Sequence, residues 1–315
     1  MFIIKKYQKN DFEKNYINIR KKYLYFFLFF LLLIVISLIE KMQIMKKEKN
    51  NNFGKKCYSS FDNSDLKIIH IIITRFLYFS RNSRKDYILN GMRVMKKYLL
   101  PSLENQSCKD FIWILMLGNK AKITSSLKSL LNFNNSFQWY IIYKKDIKNF
   151  LRNITKGFDI LITTRIDYDD RIYYDAVNDV RKEINIKRPI FLYGYNKGVY
   201  YFELDNKYYD FENTGKSGAF SIFESLIILL NKVNDTYTIY DLDNHYYVRD
   251  NLLMNYKSYG IKELDYEPAI FDNGAPKFVW VRQKYSSRYN RSKFKQVKNI
   301  LKVNNNFNLS KFYGK

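Results

Sequence analysis

Four apolar runs of the buried type, each set off from the next by a helical or polar interval, constrain this chain more than any other feature. The first, "LKIIHIIITRF" (66–76), is a continuous β-branched run, the pattern of a strand covered on both faces. "DFIWILML" (110–117), ended by Gly118, "QWYIIY" (138–143) and the stretch around Ile160, Leu161 and Ile162 repeat it. Between the first two runs, Leu89, Met92, Met95, Tyr98 and Leu99 recur at three-to-four-residue spacing, which predicts an amphipathic helix limited by Pro101. A short helix is expected around 124–132, and another over "DIKNFLRNITKG" with Asp146 as N-cap and Gly157 past its end. Strands alternating with helices form parallel βαβ units, so the first half reads as α/β with a doubly wound, mostly parallel sheet.

After the fourth run the pattern changes to a mixed C-terminal half. A helix is expected at 172–186. "PIFLYGY", "GVYYFEL" and "KYYDFEN", the last two separated at Asn206, look like antiparallel hairpins. A helix at 218–231 ("GAFSIFESLIILLN"), a strand-like "DTYTIYDL" and a last strand "KFVWVRQ" (277–283) follow. The folded domain is therefore placed at 66–285, behind a polar, Lys/Asn-rich stem at 40–65. Ahead of the stem, "YLYFFLFFLLLIVISLI" (23–39) runs 17 residues without a charge. That is long enough for a transmembrane helix, which takes roughly 17–25 residues, and it lacks the small-residue cleavage site of a signal peptide. Arg20, Lys21 and Lys22 abut its start, so the expectation is a single-pass membrane protein with residues 1–22 cytoplasmic and the membrane as a partner.

A net charge of +24 invites a nucleic-acid reading, but its distribution opposes one. Residues 1–56 carry 13 Lys/Arg against 4 acids and residues 284–315 carry 9 against none, leaving 32 against 26 between them. The excess sits in the two ends, and residues 286–315 read as a basic tail. With no zinc-finger spacing and no RNA-binding aromatic signature, nucleic acid is not expected as a partner. The two cysteines, Cys57 and Cys108, could close one disulfide in an oxidising compartment and make no metal-thiolate site.

The chemistry concentrates in "DILITTRIDYDDRI" (159–172), where the fourth strand delivers Arg165, Asp167, Asp169 and Asp170 within six residues. Ligands of α/β sheets bind beyond the carboxyl ends of parallel strands. Carboxylates so close repel one another, and a divalent ion offsets that repulsion. Magnesium or manganese takes one or two protein carboxylates and shares the rest of its shell with substrate phosphates. Strand alternation would turn Asp167 and Asp169 to one side, with Asp170 free to reach a partner and Arg165 set to neutralise phosphate. Of the two histidines, His70 lies inside an apolar strand and reads as a core residue.

"IIITRF", "LLPSLENQSCKDFIWILML" and "TTRIDYDDRIYYDAV" together resemble the putative rhamnosyltransferase family of GT-A-type glycosyltransferases, over roughly 66–285. The resemblance implies a GT-A-like fold and transfer of a sugar from a nucleotide-diphospho-sugar, with Mn2+ or Mg2+, to a glycan or lipid-linked acceptor. It places Thr74 and Arg75 near the nucleotide, Asp167 toward nucleotide, sugar and metal, Asp169 on the metal with Asp170 in support, and His245 as a late metal or phosphate ligand. Inverting transfer wants a general base near the acceptor hydroxyl, for which Glu224, Asp241 and Asp243 are candidates. Glu224 is expected on the helix after "KSGAF". Arg282 and Arg288 could grip a diphosphate. A metal-dependent nucleotidyl or phosphoryl transferase, or a non-catalytic tethered binding module, remain alternative readings.

Overall fold

The computed structural model describes residue 57 and residues 66–76, 85–119, 136–203, 206–212, 223–242, 248–263, 266, 269–272, 274–282 and 303–313. All lie in the compact unit formed by residues 54–315. The four expected strands are present as β1 (Ile68–Phe76), β2 (Ile112–Leu117), β3 (Gln138–Tyr143) and β4 (Ile160–Arg165). They run parallel in the order β3-β2-β1-β4. In chain order there follow β5 (Arg171–Ile172), β6 (Ile190–Tyr195), β7 (Lys197–Phe202), β8 (Lys207–Glu212), β9 (Glu224–Leu229), β10 (Ala269–Asp272) and β11 (Phe278–Arg282). The large sheet has the order β10-β6-β9-β4-β1-β2-β3. β9 pairs antiparallel with both β4 and β6, and every other pairing in this sheet is parallel.

The expected helix at 218–231 is thereby corrected to a strand. All six residues of β9 are buried, so its apolar run carries neither the two-residue nor the 3.6-residue period, and a buried helix and a buried strand look alike in such a run. The other correction of type concerns "DTYTIYDL", which ends in a 3-10 turn at Ile239–Leu242 rather than a strand. The expected helix at 124–132 lies outside the described residues.

Helices cover the sheet on both faces. Ile72 and Phe76 of β1 pack with α1 (Lys85–Lys97) and α2 (Leu99–Glu104) through Met92, Met95 and Leu103. Ile71 and Ile73, on the other face, pack with α3 (Ile147–Ile154) through Leu151 and with the 239–242 turn through Ile239 and Leu242. The single helix expected before Pro101 is thus two, and Pro101 falls in the first turn of α2, where its missing N–H is not needed. Asp146 stands at the N-cap of α3 without a side-chain cap bond, while Gly157 takes φ of 81° past the end of that helix. Only α4 (Ala176–Lys182) fills the expected 172–186 helix, and α5 (Val248–Asn255) is added later.

A second sheet, β5-β11-β7-β8, gathers the mixed half. β7 and β8 form the expected hairpin, with Asn206 in the left-handed region at φ 50°. β6 and β7 are not a hairpin, because they enter different sheets. The end of the expected basic tail lies on β8: Val303 bridges Tyr209, and the Asn304 N–H donates to the Tyr208 carbonyl at 2.9 Å, ahead of α6 (Leu309–Phe312). Cys57 and Cys108 are joined as a disulfide across 51 residues.

The expectation of a membrane-spanning helix and a single-pass membrane location is corrected. Among the described residues no helix is long and apolar enough to cross a membrane. The longest, α1, has 13 residues, or about 20 Å at 1.5 Å per residue against a hydrocarbon core of about 30 Å. Residues 23–39 lie outside the described residues.

Candidate active site

The strand order brings several charged side chains to one edge of the large sheet. β1 and β4 end there, and antiparallel β9 begins there. Arg165 is register partner to Ile73 of β1 on one side and to Glu224 of β9 on the other. Directly opposed residues of an antiparallel pair project from the same face with Cβ atoms about 5 Å apart. The chain has therefore set a guanidinium and a carboxylate side by side, both buried. Glu224 sits here because it opens a strand rather than lying on a helix.

Two residues from the ends of β1 and β4 meet over one ring. Arg75 and Arg165 each place their guanidinium carbon 4.9 Å from the centroid of Tyr240, in the 239–242 turn. The two charges are at most twice that distance apart. At an effective dielectric of about 20 they repel by at least about 1.7 kcal/mol. Asp167 offsets part of this, with Oδ1 3.6 Å from Arg75 Nη2, and cation–π attraction to the ring contributes roughly 0.5–2 kcal/mol per contact. Burial pushes the Tyr240 phenol up to about 12, against the pull of Arg165 and Arg75, so the ring is neutral and its hydroxyl donates to the Ile73 carbonyl at 3.2 Å.

The three aspartates do not act alike. Residues 167–170 form a turn closed by the Asp170 N–H donating to the Asp167 carbonyl at 3.2 Å, so strand alternation does not govern them. Asp167 and Asp169 are half-buried on this turn. Asp170 is buried, and its Oδ1 accepts the Val281 N–H at 3.1 Å, clasping β11 of the second sheet. Among the described residues no group of three His, Cys, Asp or Glu side chains stands ready to hold a metal.

Other expected site residues are occupied with structure. The Thr74 hydroxyl accepts the Trp113 indole N–H at 3.0 Å in the core, on the opposite face of β1 from Arg75. Asp241 accepts from the Thr238 N–H at 2.6 Å and from its hydroxyl at 3.0 Å, holding the turn that carries Tyr240. His70 is a core residue as expected: its Nε2 meets Thr164 Oγ1 at 2.7 Å, which in turn meets Ser225 Oγ at 2.6 Å. Burial, and then Arg181, hold the His70 pKa well below its ordinary value. Asp243, His245 and Arg288 lie outside the described residues.

Residues 84–239, from just before α1 to the first residue of the Tyr240 turn, match the family described as "Putative rhamnosyl transferase". Over this segment the chain is similar to that glycosyltransferase family. The rhamnosyl transferase segment includes Arg165, the three aspartates and Glu224, and leaves out Arg75 and β11. No curated protein matches the chain. TarS 1–349 of S. aureus, solved in complex with UDP-GlcNAc, overlaps it with a TM-score of 0.38 at 10% identity, over 74% of this chain and 65% of that one. This chain thus spans less than two thirds of TarS 1–349. The inositol-1-phosphate CTP transferase from T. maritima overlaps with a TM-score of 0.36 at 10% identity, over 75% and 96% of the two chains. Overlaps this loose assign no activity.

Proposed function

We propose that the chain transfers a sugar, rhamnosyl first among those to be tried, from a nucleotide-diphospho-sugar to a glycan or lipid-linked acceptor. The observation that carries this reading is the convergence of Arg75, Arg165 and Asp167 at the carboxyl edge of the sheet, in a chain whose 84–239 segment matches rhamnosyl transferases. Arg75, partly exposed beside Asp167, can donate paired N–H groups to phosphate oxygens of a departing nucleoside diphosphate, and the buried Arg165 adds positive charge to the same edge. Their placement ahead of the reaction stabilises charge as it develops on the leaving group.

A divalent ion fits the same edge only jointly with substrate. Of the three neighbouring aspartates, Asp167 and Asp169 are the accessible ones, since Asp170 is buried and turned to Val281. Two carboxylates plus phosphate oxygens and water match what magnesium or manganese accepts. When bound, the ion would supply Lewis-acid stabilisation of the diphosphate. Glu224, buried opposite Arg165 in register, serves to orient that guanidinium rather than to take a proton from an acceptor.

The test is thermal stabilisation of the full chain by a panel of nucleotide-diphospho-sugars with Mn2+ or Mg2+, followed by assay of released nucleoside diphosphate with glycan acceptors. One donor should raise the melting temperature and yield nucleoside diphosphate. Release of pyrophosphate instead would establish nucleotidyl transfer, and stabilisation by no nucleotide would refute the reading altogether.

A further inference from the structure

Arg171, the residue directly after the 167–170 turn, is a cation inside an aromatic box. Only 6% of it is exposed. Its guanidinium carbon lies 4.7 Å from the ring centroid of Tyr98, between α1 and α2, 5.8 Å from that of Tyr201 on β7, and 5.9 Å from that of Tyr313, just past α6. Its Nε and Nη1 are buried and have no hydrogen-bond partner among the described residues. Val199, Val279 and Val281 belong to the same cluster, so an aliphatic side chain would suit position 171. A buried charge loses its hydration, and replacing buried ionic groups by apolar ones of similar volume is often neutral or stabilising. A guanidinium kept here against that cost calls for a role.

We infer that Arg171 is a positioning residue: three rings from three parts of the chain hold its flat guanidinium, and through it they set the aspartate turn. The inference rests on the nucleotide-sugar reading, which gives Asp167 and Asp169 their task. On its near side the turn leaves β4, all six of whose residues are buried. On its far side stands β5, two residues long, each with one register partner on β11. That end of the turn is held by this short ladder, the Asp170–Val281 bond and the Arg171 side chain. Rings fix both the place and the tilt of a planar guanidinium, which stacks on them as no aliphatic chain or ammonium does. The Tyr313 wall comes from outside the 84–239 segment. Its base is secured on β8, where Val303 bridges Tyr209 and the Asn304 side chain donates to Asp210 Oδ1 at 2.6 Å. The C-terminal segment is thereby joined, through one ring and one cation, to the carboxylates of the candidate site.

Amide hydrogen exchange in the full chain, without metal or donor, reads the turn directly. In Arg171→Met a peptide covering residues 166–172 should exchange about three- to tenfold faster than in the parent, the scale of lost ring contacts to a buried guanidinium. Peptides from β1 and β2 should keep the parent's rate, and the melting temperature should hold or rise. Tyr313→Ala should speed exchange in the same peptide, whereas Tyr313→Phe, which keeps the ring, should not. The Mn2+ concentration for half-maximal nucleoside diphosphate release should rise in Arg171→Met by a similar factor. If that variant does not fold, Arg171→Lys, which keeps the charge without the plane, takes its place and should loosen the turn likewise. Exchange at the parent's rate in either the position-171 variant or Tyr313→Ala, or an increase spread equally over β1 and β2, overturns the positioning role and leaves the nucleotide-sugar reading standing. A turn loosened as expected, in a chain that releases nucleoside diphosphate from no donor, overturns that reading and leaves Arg171 as the residue that holds the turn.

Discussion

The unequal roles of the neighbouring aspartates can be separated by stability alone. Asp170 is buried, and its carboxylate accepts the Val281 N–H at 3.1 Å. Asp170→Ala leaves that N–H buried without an acceptor, which costs roughly 1–3 kcal/mol. For a folded unit spanning residues 54–315, about 2 kcal/mol corresponds to a fall of about 4–8 °C in melting temperature, at roughly 2–4 °C per kcal/mol. Asp170→Asn keeps an acceptor oxygen of the same reach and should lose less than half of this. Asp169→Asn, on the half-buried turn, should stay within about 0.5 kcal/mol of the parent, as surface changes usually do. Circular dichroism melts of the three full-length variants in the same buffer decide the matter. If Asp170→Ala melted with the parent, or Asp169→Asn fell as far, the division between a clasping and an accessible carboxylate would be wrong.

Asp169→Asn should nonetheless abolish metal-dependent turnover, measured as nucleoside diphosphate release with Mn2+, because it deletes one of the two half-buried carboxylates of the 167–170 turn. His70 gives a pH signature. Its folded pKa lies well below 6.5, so below pH 6.5 the unfolded chain binds a proton that the folded one refuses. Stability should then fall with decreasing pH, by up to about 1.4 kcal/mol per unit from this group, until the folded pKa is reached. Urea melts between pH 7 and 5 should show this slope, and His70→Gln should flatten it. Reducing the Cys57–Cys108 disulfide, which closes 51 residues, should cost about 2–4 kcal/mol, read as a lower urea midpoint in dithiothreitol.

Much of the sheet was legible because its strands announce themselves locally. Ile71, Ile72 and Ile73 are all fully buried, and consecutive β-branched residues favour a strand covered on both faces. The same uniform burial hid β9, where "ESLIIL" offers no period to separate strand from helix. The site divides along a similar line. The placement of Arg165 and Asp167 at the carboxyl edge of the sheet was legible because they follow a buried parallel strand. The hydrogen bond that the Thr74 hydroxyl accepts from Trp113 on β2 was not legible, because that partner is fixed by strand pairing rather than by spacing. The task of Asp170 is set by Val281, 111 positions away. Tyr240 could not be found at all from the sequence, since its meaning lies in two arginines at positions 75 and 165.

The insertion of β9 between β4 and β6 also bears on how the protein is made. Synthesis delivers β4 by residue 165 and β6 by residue 195, but β9 begins only at residue 224. In the finished sheet β4 and β6 run the same way, each antiparallel to the strand between them. A nascent chain that has emerged through β6 therefore holds two apolar strands with open edges that could pair directly, and such edges invite wrong partners. That pairing would set Arg165 beside β6 and shut Glu224 out of the edge where the chemistry is proposed. The ribosome must supply residues 224–229 before this edge closes wrongly, so translation speed across residues 196–223 becomes part of what decides whether an active enzyme or an aggregate is made.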